Sequence, residues 1–178
     1  MPFDKLPSWT NQKAWCHLPL IERALMLAAA RVGERETKRN SSTWVDLFLR
    51  AVGLAPGYAW CASFVYWCLT ESGWPAESLP EKRRAAGVIT WSRWAEERGL
   101  IVSEPRRGDL MFWVNPDGTG HIGFVTKATK TEVFTIEGNT NDAGSREGDG
   151  VYRKTRRISP KLRFISLHAV ADKLTDRP

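Results

Sequence analysis

The 178-residue chain is 42% hydrophobic and 26% charged, which provides for one well-buried core and a single domain. No uninterrupted apolar stretch approaches membrane-spanning length, and Met1-Pro2-Phe3-Asp4-Lys5 lacks the charged-then-apolar order of a secretory signal, so no stable membrane insertion is expected, and if the protein acts outside the cytoplasm another system is expected to export it. The net charge of +6 suits nucleic acid, an acidic membrane surface or an anionic wall polymer, but no Gly-rich phosphate loop, helix-turn-helix or RNA-binding aromatic signature is present, and no nucleic-acid partner is expected.

Residues 1–17 have no clear period and read as an N-terminal arm, with Trp9 and Trp15 packing onto a single domain over residues 18–178. From Pro19 to Val32, Ile21, Ala24, Leu25, Ala28 and Val32 follow helical spacing, with Gly33 as the stop. A second helix starts near Thr43, which has Asp46 three residues on, and carries Trp44, Leu47, Phe48 and Ala51 as far as Gly53. The third begins at Trp60 or Cys61, after the Pro56-Gly57 turn, and presents Cys61, Phe64, Val65 and Cys68 on one stripe. Thr90 to Arg98 is a shorter helix whose Trp91 and Trp94 either line a cleft or, the preferred reading, pack in the core.

After Pro105 the pattern turns to strands: 109–114, 121–126, 132–139, 151–156 and 162–170, separated by Asn115-Pro116-Asp117-Gly118 and the Gly/Asp-rich segment 141–150. Helices first and antiparallel strands second predict an α+β fold. The basic clusters Lys82-Arg83-Arg84, Arg106-Arg107 and Arg153-Lys154-Thr155-Arg156-Arg157 read as solvated faces.

Cys16, Cys61 and Cys68 are an odd set without framework spacing. Cys61 and Cys68 stand two helical turns apart, about 10 Å and beyond disulfide reach. Cys-x6-Cys is no usual zinc pair and His17 has no partner at ligand spacing, so neither a metal nor a cofactor is expected.

A thiol at the head of a helix faces unpaired backbone N–H groups and the positive end of the dipole, which stabilise its thiolate and can hold an oxyanion. His121 opens a strand in which Ile122 and Phe124 share one face and the imidazole, Gly123 and Val125 the other. A symmetric hairpin with its loop at 127–131 places His121 opposite Glu137, with Asn139 within diagonal reach. Either Glu137 or Asn139 can hold the ring in the tautomer a Cys–His pair needs. Seen alone, Cys61 reads as a small buried hydrophobe, His121 as a sheet-edge residue and Glu137 as solvated; together they read as a site. Cys68 keeps the buried reading, and His17 and His168 are weaker candidates.

Trp60-Cys61-Ala62-Ser63-Phe64-Val65, Arg107-Gly108-Asp109-Leu110, Gly120-His121-Ile122-Gly123-Phe124-Val125 and Ile136-Glu137-Gly138-Asn139 resemble the CHAP family of cysteine, histidine-dependent amidohydrolases and peptidases, from about Ala24 to Leu167. The resemblance implies a papain-like fold, with N-terminal helices on an antiparallel sheet of five to six strands. It also implies Cys61 as nucleophile, His121 as base, Glu137 as the favoured orienter and Asn139 as a second polar partner. Asp109 is read as structural. The implied substrate is bacterial peptidoglycan, cut as amidase or endopeptidase; separately from the resemblance, a monomer is expected.

Made in the cytoplasm, such an enzyme acts in the periplasm or on the wall, after lysis as a phage lysin or after export as an antibacterial effector. An effector's further partners are a secretion apparatus and an immunity protein. Two alternatives remain open: an acyltransferase on the same Cys–His site, and a non-catalytic basic domain that binds wall polymer.

Overall fold

The computed structural model describes residues 12–142 and 148–175, so Trp9 and part of segment 141–150 lie outside the described residues. Five helices come first: α1 (Gln12–His17), α2 (Leu20–Ala30), α3 (Thr43–Ala51), α4 (Cys61–Glu71) and α5 (Val88–Glu97). Six strands follow, β1 (Ile101–Val102), β2 (Leu110–Val114), β3 (Gly120–Ala128), β4 (Glu132–Thr140), β5 (Gly150–Arg157) and β6 (Arg163–Ile165), and then α6 (His168–Thr175). The order is α+β, as the change of hydrophobic period predicts. Among the described residues no helix is long and apolar enough to cross a membrane.

The strands form one antiparallel sheet in the order β1-β6-β2-β3-β4-β5. Its side chains alternate between two cores. Leu110, Phe112, Ile122, Phe124, Ile136 and Ile165 join the helices in the main core. Met111, Val125, Val133 and Phe164 make a smaller apolar cluster on the other face, with Trp113 packed against it.

The helix that carries the nucleophile candidate is apolar all round, because it is the central layer. It packs on α2 and α3 on one side and on β3 and β4 on the other. Every residue from Cys61 to Leu69 is buried, not the predicted stripe alone. Phe48 on α3 meets Phe64 and Trp60 with ring centroids 5.2 and 5.7 Å apart, distances at which aromatic pairs add to plain area burial.

Several expectations need correction. Residues 12–17 are helical and Trp15 is buried in the main core. The helix expected near Thr43 does begin there, and its N-cap is Ser42, whose hydroxyl accepts from Val45 N at 3.3 Å. The predicted strand 162–170 stops at Ile165, and α6 takes over. Leu167, Val170 and Leu174 recur at helical spacing, and Ser166 Oγ accepts from Ala169 N at 3.4 Å, so this run carries a helix start that the strand reading missed. His168 therefore sits on α6, where its Nε2 lies 2.9 Å from the Arg107 carbonyl oxygen. Trp91 and Trp94, by contrast, are core residues as preferred from the sequence, edge-to-face at 5.8 Å, and Trp91 Nε1 donates to Ala85 O at 2.8 Å.

Candidate active site

The approach to α4 is held from the side. Trp60, the N-cap residue, donates its indole N–H to Glu36 Oε1 at 2.8 Å, and Glu36 Oε2 accepts from Asn40 N at 2.7 Å. The Pro56-Gly57 turn docks on the same segment, through Gly57 N to Asn40 O at 3.0 Å. No side chain caps α4, so its first-turn amides remain turned toward the end where Cys61 sits. Cys61 keeps 6% of its surface exposed.

β3 supplies the imidazole. Trp113 pairs with His121 across β2 and β3, and their rings lie 4.9 Å apart and 36° from parallel, which puts His121 on the sheet face of the smaller cluster. His121 Nε2 is 2.8 Å from Glu137 Oε2, and both side chains are fully buried. The predicted register was different. Phe124 pairs with Ile136 and Val125 with Thr135, a bulge follows between Val125 and Lys127, and pairing continues to Ala128 and Val133. The turn is tighter than predicted, with Ala128 paired to Val133, and the bulge takes back one residue of that shift, so Gly123, not His121, falls opposite Glu137 while Glu137 and His121 keep a common face. Glu137 reaches the imidazole diagonally instead.

Glu137 is further held from two sides. Its Oε1 accepts from Thr135 Oγ1 at 2.5 Å and from Arg156 Nε at 2.9 Å, and its Oε2 accepts from Arg156 Nη2 at 2.6 Å. Burial pushes the Glu137 pKa up, but the hydrogen bonds from Arg156 and His121 and their charges outweigh it and take the group from 4.5 down to about 2. Burial likewise pushes His121 down. The hydrogen bond to Glu137 and the interaction with Cys61 reverse that and lift the imidazole from 6.5 to about 9. Nδ1, buried and without a fully formed hydrogen bond, is the ring nitrogen left for the Cys61 thiol. The set can therefore shuttle a proton between sulfur and imidazole beside a fixed carboxylate.

Asn139 is buried, and its φ of 55° puts it in the left-handed region, at the point where the pairing of β4 with β5 shifts between Glu137 and Thr140. The contact to the imidazole that the structure records is that of Glu137. Gly138, between them, faces α4: a Cβ there would stand 2.7 Å from Trp60 Cζ3 and 3.0 Å from Phe64 Cβ. Asp109 accepts from Arg106 N at 2.7 Å and Leu167 N at 3.3 Å, tying the entry of β2 to the exit of β6, and burial raises its pKa. Cys68 is fully buried, and burial pushes its pKa well up. Among the described residues no group of three or more His, Cys, Asp or Glu side chains is arranged to hold a metal ion.

Glu36, Trp113, Thr135 and Arg156 were not singled out from the sequence. Arg156 is a correction to the reading of 153–157 as a uniformly solvated run, because that run is a strand: Arg153, Thr155 and Arg157 face solvent, while Arg156 turns onto Glu137 and Lys154 Nζ donates to Asn141 O at 3.0 Å. Alternation within the cluster was the available signal.

Comparisons with known proteins bear on this arrangement. A search of curated proteins gave no match. Among solved structures the chain is similar to the peptidoglycan hydrolase RipB from Mycobacterium tuberculosis, at 14% identity and a TM-score of 0.43, over 94% of this chain and 72% of that one. Residues 53–139 match the family model of the CHAP domain.

Proposed function

We propose that the chain, whose residues 53–139 match the family model of the CHAP domain, is a peptidoglycan hydrolase that opens an amide bond through Cys61 and His121. The observation that supports this reading is the buried pair of His121 and Glu137, Nε2 to Oε2 at 2.8 Å, with the Cys61 thiol at the head of α4 near enough to raise the pKa of the imidazole.

Cys61 passes its proton to His121 Nδ1, and the thiolate attacks the amide carbonyl carbon. First-turn amides of α4 stabilise the oxyanion of the tetrahedral intermediate. As the intermediate collapses, the C–N bond breaks, the imidazolium protonates the leaving amine, and a thioester to Cys61 remains. His121 then takes a proton from water; the hydroxide adds to the thioester, the C–S bond breaks, and the acid product leaves as the thiol is restored. Glu137 keeps the ring in the tautomer that presents Nδ1 to sulfur.

The scissile bond is either the amide that joins the lactyl group of the sugar to the stem peptide or one within the peptide. The net positive charge favours encounter with an anionic wall at low salt. The enzyme acts in the periplasm or on the wall, as a lysin or an exported effector. Mass spectrometry of fragments released from purified peptidoglycan tests the reading: wild type should release new amine and carboxylate ends and Cys61→Ala none, while wall binding by Cys61→Ala survives. Release by both proteins, or by neither, overturns it.

A further inference from the structure

We infer that Arg156 is a positioning residue of the Cys61–His121 pair: its paired hydrogen bonds fix Glu137 in the rotamer that receives the imidazole, and its charge moderates the field at the ring. The inference rests on the reading of Cys61 and His121 as the reacting groups.

Glu137 has two carboxylate oxygens and four donors. Arg156 takes one position on each oxygen, through Nε at 2.9 Å and Nη2 at 2.6 Å, in the two-pronged geometry that a planar guanidinium makes with a carboxylate. The remaining positions then point at Thr135 Oγ1 and at His121 Nε2. A single-point donor would leave the carboxylate free to rotate about its own axis and take the Nε2 contact with it.

Arg156 is itself held in place. Its guanidinium carbon lies 5.3 Å from the centre of the Trp113 ring, and that ring lies 4.9 Å from the imidazole. His121, Trp113, Arg156 and Glu137 thus close a ring of contacts with one member from each of the adjacent strands β3, β2, β5 and β4. The Arg156 side chain is 19% exposed, although residues on either side of it in β5 face water. An arginine with solvent at hand has turned inward onto the carboxylate that holds the base.

The charged and titratable groups that face the imidazole are Cys61 from α4, Glu137 from β4, Arg156 behind Glu137 and, across Trp113, Lys161 at 6.0 Å from that ring. Arg156 is thus a cation close to the Glu137–His121 pair, and removing it strengthens the hold of that pair on its proton.

The test is an NMR titration of labelled histidine in wild type, Arg156→Lys and Arg156→Met, with the His121 signal assigned from His121→Gln, beside steady-state kinetics on peptidoglycan. Arg156→Met should move the deprotonation of His121 upward by about one pH unit or more. It should also lower kcat by about 10- to 100-fold, with KM little changed. Arg156→Lys keeps the charge but not the fork, so the titration should stay with wild type while kcat lies between the two. A wild-type titration in Arg156→Met, or a wild-type kcat in Arg156→Lys, overturns the inference. If Arg156→Met does not fold, Arg156→Lys decides alone by the same criteria. A wild type that cuts no peptidoglycan overturns the proposed function instead, and the His121 titration still decides the role of Arg156.

Discussion

Glu137 lies flat over Gly123, where a Cβ would stand 2.6 Å from Glu137 Cγ and 2.9 Å from the Ile136 carbonyl oxygen. The missing side chain is what lets the carboxylate run diagonally across β3 to His121. Gly123→Ala should therefore lift Glu137 off the strand and lower kcat by about 100-fold, the scale of a 1 Å misplacement. Kinetics together with circular dichroism, which should remain that of the wild type, checks this.

Gly138 does the corresponding work on the opposite face, where Trp60 and Phe64 of the α4 entry press against it. Gly138→Ala should cost about 1–3 kcal/mol by overpacking, measured by urea unfolding. Because Trp60 directly precedes Cys61, activity should fall with stability in this variant. Gly123→Ala should separate the two.

The left-handed backbone of Asn139 makes a different forecast. Asn139→Gly should keep its stability, whereas Asn139→Val should lose about 1–2 kcal/mol in the same urea measurement. Glu137→Gln should reduce kcat far more than Asn139→Gly does, since the Nε2 contact belongs to Glu137. Equal losses would return Asn139 to the role of orienter.

The His121–Glu137 pair also sets a pH dependence of stability. His121 is lifted from 6.5 to about 9, so its contribution is whole below about pH 6.5 and is lost as pH rises through about 9. Glu137 is lowered from 4.5 to about 2, so its contribution is present above about pH 4.5 and is lost as pH falls through about 2. Urea midpoints should decline between about pH 6.5 and 9, and His121→Gln should flatten that decline.

The helices and most strands could be read from hydrophobic period because burial imposes that period directly: Ile21 to Ala28 and Ile122 to Phe124 face one core. The candidate site was legible as residue types, Cys61, His121 and Glu137, but not as geometry. Pairing register turns on a tighter turn, with Ala128 paired to Val133, and on one bulged residue after Val125, and neither carries a compositional mark. Arg156 looked like its basic neighbours because a charge cluster does not announce that it is a strand with two faces. The end of the chain misled for a related reason, since Leu167 and Val170 suit either a strand or a helix until Ser166 is seen to start a turn.

The burial of α4 on every side has one more consequence. With no flank open to water and packing partners all round, this helix has no local route to fraying at its central turns, so those amides should take up deuterium only when the entire molecule opens. Warming would then silence the thiol and melt the scaffold in a single event, and a gently heated sample would hold molecules that are either fully competent or fully collapsed.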